Sequence, residues 1–186
     1  MRQNDQAGQQ VGSQVLYERQ KRLRESGSIQ PGPAIVAVGL RVPENLGMVL
    51  RLADAAGTSR VVFVNEETPL QSRIRKTARN ADLSVSWEIC DAKTFLQKHV
   101  AALQPMIAVE ITTRSTNLFE TELPQPCALV VGSEQHGVPA EILRVCERAV
   151  HIPLYGVNGS MNVTHALAIA LFEWRRQYVR VPIPSR

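Results

Sequence analysis

Arg51 interrupts an apolar helical pattern, standing between Leu50 and Leu52. A guanidinium in that position either pairs locally, with Asp54 three residues on, or grips an anion. Glu134 lies in the segment GSEQHG at residues 132–137, directly after an apolar run. A carboxylate bracketed by Gly132 and Gly137 can cap the next helix or accept hydrogen bonds from a ligand. His136 in the same loop could serve as an acid or base, although a lone loop histidine is more often inert. A third loop, residues 153–160, carries Gly156 and Gly159 and ends on Ser160, with Asn162 just beyond. Its glycines let backbone N–H groups approach a ligand, and Ser160 or Asn162 is the N-cap of the helix that follows. Exposed amides feeding a helix N-terminus can hold a small polar ligand. A Ser160–His165 hydrolase pair is conceivable, but no third member of a triad can be named.

The elements around these loops alternate. Residues 34–39 (AIVAVG) form a short, continuously apolar run, as in a strand covered on both faces. Leu46, Val49, Leu50, Ala53 and Ala56 fall at helical spacing, starting after Pro43-Glu44-Asn45 and ending at Gly57. Residues 60–64 (RVVFV) predict a second strand and residues 84–89 a weaker third. Residues 91–103 predict a helix with Asp91 as its N-cap. Residues 106–111, 128–132 and 150–152 are further strands, and residues 139–146 a short helix opened by proline. A long helix starts at about Ser160. Such alternation predicts an α/β fold, a mostly parallel sheet with helices on both faces. Ligands in such sheets bind beyond the C-terminal ends of strands, where the three loops lie.

The chain has 186 residues, enough for one domain with an ordinary core. Residues 1–28 are polar and glutamine-tinged, a mobile segment with a short helix at residues 14–25; residues 29–186 are the domain. Cys90, Cys127 and Cys146 are widely spaced and form no CxxC pair, which argues against disulfides and zinc and for a reducing cytoplasm. No metal is called for. No apolar run approaches the ~20 residues of a membrane span. The net charge is +4. Its clusters say more: Arg73, Arg75, Lys76 and Arg79; Arg19, Lys21, Arg22 and Arg24; and a tail with Arg175, Arg176, Arg180 and Arg186. Basic clusters suit a polyanion such as RNA. GxGxxG, GxxxxGK[ST] and GxSxG are all missing from the sequence, so dinucleotide, P-loop and serine-hydrolase readings fail.

Together, Asn45-x-Gly47-x-x-x-Arg51, Gly132-Ser-Glu134-x-x-Gly137 and Ile152-Pro-x-x-Gly156-x-x-x-Ser160-x-Asn162 resemble the three motifs of the TrmH (SpoU) branch of the SPOUT RNA methyltransferases. The resemblance covers residues 34–177. It implies a C-terminal deep trefoil knot, S-adenosyl-L-methionine as cofactor, a homodimer, and methylation of a ribose 2′-hydroxyl in tRNA or rRNA. By the same resemblance Arg51, Ser160, Asn162, Asn45 and Glu134 are the catalytic set. Gly132, Ile152, Leu154, Gly156 and Met161 would contact the cofactor; the basic cluster Arg73, Arg75, Lys76 and Arg79 is assigned to RNA on its charge. A sulfonium methyl is already electrophilic, so the remaining task is to position the hydroxyl and raise its nucleophilicity. Arginine is a poor base, so Arg51 is expected to act by gripping an RNA phosphate. The departures are Gln135-His136 before Gly137, Leu154 and Met161 at positions usually methionine and leucine, and His165 for a small or apolar residue. Base methylation within the same superfamily, or an inactive RNA-binding dimer, are the alternatives.

Overall fold

The computed structural model describes residues 8–178 apart from 28 and 59. The expectations for residues 1–7 and for Arg180 and Arg186 fall outside the described residues. The chain divides into two compact units, Met1–Gln30 and Pro31–Arg186. In the first, α1 (Ser13–Glu25) buries none of its side chains. Local pairs such as Gln14 with Glu18 and Lys21 with Glu25, each one turn apart, support it.

The second unit is built on seven strands: β1 (Ala34–Val38), β2 (Arg60–Val64), β3 (Ser86–Cys90), β4 (Met106–Val109), β5 (Thr116–Asn117), β6 (Ala128–Val131) and β7 (Arg148–His151). They lie in the order β3-β2-β1-β6-β4-β7-β5, and every pairing is parallel. Alternate side chains of the central strands serve two separate cores. Ile35, Ala37, Val61, Phe63, Leu129 and Val131 join the core that holds α2 (Pro43–Ala55), α3 (Gln71–Ala78), α4 (Ala81–Ser84) and α7 (Val163–Tyr178). Val36, Val38, Val62, Val64, Ala128 and Val130 join the core under α5 (Ala92–Lys98), the 3-10 turn Val100–Leu103 and α6 (Ala140–Leu143). Both faces are therefore covered, which is why the strands are continuously apolar.

Several boundaries differ from those predicted. α2 starts at Pro43, inside the segment expected to precede it, because proline is well suited to the first helical turn. The third strand is displaced to Ser86–Cys90, since residues 81–84 close a short helix instead. Asp91 caps α5, its carboxylate accepting the Thr94 N–H at 2.7 Å, but the helix breaks at His99 into a 3-10 turn. β4 stops at Val109, and β7 runs over Arg148–His151. α6 is only four residues long, and α7 starts at Val163. Four elements were not anticipated: α3, α4, β5 and the 3-10 turn Leu118–Glu120. The cysteines are free, and burial pushes the thiols of Cys127 and Cys146 up to about 12 and about 11, which disfavours their thiolates. Among the described residues no helix is long and apolar enough to cross a membrane.

The winding of the sheet reverses between β1 and β6. β1 and β6 are neighbours, yet α2 packs on one face of the sheet and α6 on the other. The chain connections diverge there, and the loops leaving the two strands face each other across the gap.

Candidate active site

One carboxylate oxygen ties the three sequence motifs together. Glu134, in the loop after β6, accepts from Asn45 Nδ2 at 2.9 Å and from Asn162 Nδ2 at 3.2 Å, both on Oε1. Asn45 belongs to the first turn of α2, and Asn162 precedes α7. The amide oxygen of Asn162 is also committed: it accepts the Thr164 N–H at 2.8 Å and the Thr164 hydroxyl at 2.5 Å. Of the two N-cap candidates, Asn162 is thus the one that caps α7.

Beside this knot of side chains is a cleft of about 250 Å³ over the C-terminal ends of β4, β6 and β7. Its wall is largely apolar, with Val109, Val131, Ile152, Leu154, Met161 and Val163. Glu110, Glu134 and His151 are its ionisable side chains among the described residues, and Ser133 and Ser160 add hydroxyls. Such a lining suits a ligand with a flat apolar part and a positive charge.

Two glycines make the site possible. A Cβ on Gly132 would stand 1.9 Å from the carbonyl carbon of Gly137, so the two ends of the second loop touch backbone to backbone. Gly47 has no room for a Cβ either, since it would meet the Ile74 carbonyl oxygen and Thr77 Cβ, each at 2.6 Å. Gly47 thereby lets α3 lie close against α2.

That contact creates a second cavity, of about 480 Å³, lined by Glu44, Arg51, Arg73, Lys76, Thr77 and Arg79. Arg51 therefore opens on the basic surface of α3 and does not line the apolar cleft. Its Nη1 lies 4.0 Å from Met48 Sδ, and Asp54 accepts from the Ser84 hydroxyl at 2.8 Å. Arg73 reaches Glu44 at 2.6 Å, and backbone hydrogen bonding, with Arg73 beside it, holds the Glu44 carboxyl below its usual range. Arg79 ends α3 in the left-handed region at φ 49°. Arg75 turns to Asp82 at 3.7 Å and is not part of the cavity lining.

Of the residues singled out in the sequence, Gly132, Glu134, Ile152, Leu154, Ser160 and Met161 line the cleft. Asn45 and Asn162 join it through Glu134, while Gly156 is outside the lining and Gly159 is within it. Sequence reasoning missed Glu110 and His151. Only their positions at the ends of two apolar runs hinted at them. His136 is exposed in the second loop.

The model of the SpoU rRNA methylase family matches residues 32–172. The chain belongs to that family. This SpoU family member is 31% identical over 144 residues to the 23S rRNA (guanosine-2′-O-)-methyltransferase RlmB of Blochmanniella floridana, a match covering 77% of the chain and 57% of that relative. It is 30% identical over 166 residues to the tRNA (guanosine(18)-2′-O)-methyltransferase of Aquifex aeolicus, covering 88% and 78% of the two chains. The chain thus spans little more than half the length of the first of these relatives. Among solved structures it superposes on the AdoMet-bound rRNA methyltransferase from Sinorhizobium meliloti with a TM-score of 0.73 at 27% identity, covering 82% of this chain and 60% of that one. The TrmH/SpoU tRNA-modifying enzyme of A. aeolicus gives 0.70 at 28% identity, covering 88% and 84%.

Proposed function

We propose that this SpoU family protein is an S-adenosyl-L-methionine-dependent RNA methyltransferase that modifies a ribose 2′-hydroxyl in tRNA or rRNA. The observation that carries the proposal is the division of charge between two adjoining sites. The cleft over β4, β6 and β7 is acidic and apolar, whereas the cavity between α2 and α3 is basic. A cationic cofactor and a polyanionic substrate need that division. Glu134 links the two sites, since its partner Asn45 is on the same helix as Arg51. The names of the relatives, ribose methyltransferases of tRNA and 23S rRNA, point the same way.

When bound, S-adenosylmethionine supplies an electrophilic methyl group on a sulfonium. The fit of the residues to it is good: apolar wall for an adenine, carboxylates for positive charge, and loop backbones at Gly132, Leu154 and Met161 for polar edges. Ser160 and Asn162, at the lip of the third loop, would orient the attacking ribose. Arg51, with Arg73, Lys76 and Arg79, would hold the neighbouring phosphate and lower the cost of the alkoxide developing on the 2′-oxygen. Arg51 holds position and charge in this scheme and does not take the proton itself.

The homodimer belongs to the same reading. Tyr155, Val157 and Phe172 are exposed, the first two almost fully, and exposed apolar groups of this size suit a partner surface. The trefoil threading of the third loop and a cytoplasmic location are further parts of it. The test is to incubate the protein with radiolabelled cofactor and total tRNA or rRNA and map the label. Label on ribose 2′-oxygen is expected; label on a base overturns the assignment, as does bound cofactor with no labelled RNA. Light scattering should give a dimer at micromolar concentration.

A further inference from the structure

Glu110 stands just beyond the end of β4, inside the cleft and outside the three motifs. Its carboxylate is fixed from two sides. Oε1 accepts the Ile111 N–H at 2.9 Å, and Oε2 accepts the Val138 N–H at 2.9 Å. The backbone is fixed as well, because the Glu110 N–H donates to the Val150 carbonyl at 2.9 Å and extends the pairing of β4 with β7. Gly137 packs against the carboxylate so closely that a Cβ there would lie 2.5 Å from Oε2. Among the described residues the cleft is lined by no lysine or arginine. Its one other potential cation, His151, is engaged through Nδ1 with the Ser115 hydroxyl at 3.1 Å. Glu134 is exposed and already serves two asparagine amides. Glu110 therefore holds an oriented negative charge in the cleft with no side-chain cation to answer it there.

We propose that Glu110 selects the charge state of the bound nucleoside: it favours the sulfonium cofactor over the neutral thioether that remains once the methyl group is transferred. The inference rests on the cofactor reading above. The two forms share the same zwitterionic amino-acid end and differ in charge only at the sulfur, so a carboxylate near the sulfur distinguishes them through the sulfonium alone. Across a cleft of this size, open to solvent at its mouth, the difference is on the order of tenfold in affinity. The device aids turnover, because the spent cofactor loses its electrostatic hold at the moment the methyl leaves.

The test is calorimetric and needs no RNA. Dissociation constants for S-adenosylmethionine and S-adenosylhomocysteine are measured for the full chain, for Glu110→Gln and for Glu110→Asp. The wild-type protein should prefer the sulfonium. Glu110→Gln should reduce that preference about tenfold while changing affinity for the thioether little, and Glu110→Asp should retain it. Raising the salt concentration should shrink the wild-type preference as well. If Glu110→Gln weakens both ligands equally, the residue merely holds the second loop and the proposal fails, with the cofactor reading intact. If the wild-type chain binds neither ligand, both fall. Should Glu110→Gln not fold, Glu110→Asp and the salt series decide, and a preference insensitive to salt overturns the proposal.

Discussion

Asn162 has two jobs that substitutions can separate. Its amide oxygen caps α7 through the Thr164 N–H and hydroxyl, and its amide nitrogen holds Glu134. Asn162→Ala removes all three bonds. Loss of an asparagine N-cap costs about 1 kcal/mol. Thr164 is only 7% exposed, so its hydroxyl is left poorly satisfied at a further cost of about 1 kcal/mol. The sum, about 2 kcal/mol, should lower Tm by roughly 4–8 °C in a domain of this size. Asn162→Asp keeps both cap bonds and adds a favourable charge at a helix N-terminus. It also replaces the donor facing Glu134 with a second carboxylate, a repulsion of about 1 kcal/mol at an exposed site. The expected outcome is a Tm within about 3 °C of wild type, by the same conversion, with Glu134 released and methyl transfer lost. Differential scanning fluorimetry and a tRNA methylation assay read the two effects. If Asn162→Asp is as unstable as Asn162→Ala, the capping argument is wrong. If Asn162→Asp turns over normally, the link to Glu134 is irrelevant to the chemistry.

Arg51→Ala should abolish methyl transfer yet leave cofactor affinity unchanged, because Arg51 lies in the basic cavity and not in the cleft; calorimetry and a single-turnover assay check the two halves. Arg73→Ala and Lys76→Ala should each weaken RNA binding and flatten its salt dependence by about one counterion in a log–log plot. Arg75→Ala, whose side chain is turned to Asp82, should do markedly less in the same filter-binding series. Stability should fall in acid through Glu173. Its hydrogen bond from Arg176 is the main reason its folded carboxyl titrates below the ordinary value of 4.5. A depressed folded value gives stability that is complete above the unfolded value and is lost as pH falls from about 4.5 through the folded one. Glu173→Gln should lower Tm near neutrality, flatten the Tm–pH profile in that window and converge with wild type at its acid end.

The parts of the fold that are legible in the sequence are those with a strong local cause. β1, β2 and β6 are short apolar runs because both their faces are covered. Asp91 caps α5 through a contact three residues away. α3 escaped because only Ile74 and Ala78 of its eight residues are buried, so its sequence shows charge and little periodicity. β5 is two residues long and exists through pairing with β7, a partner far away in sequence. Glu110 looked like an ordinary strand end. Its meaning appears only when β4 lies between β6 and β7 and brings the Val138 N–H to it.

The first motif was legible as a spacing but not as a geometry. At about 100° per residue, Asn45 and Arg51 are roughly 240° apart around α2, while Gly47 and Arg51 differ by only about 40°. One helix therefore addresses two sites. Asn45 turns toward β6 and meets Glu134, and Gly47 and Arg51 turn toward α3. Gly47 shapes the basic cavity without lining it, because a side chain there would push α3 away and separate Arg51 from Lys76 and Arg79. The spacing N-x-G-x-x-x-R is thus a joint between the acidic cleft and the basic cavity, and its rigidity comes from the helix that carries it.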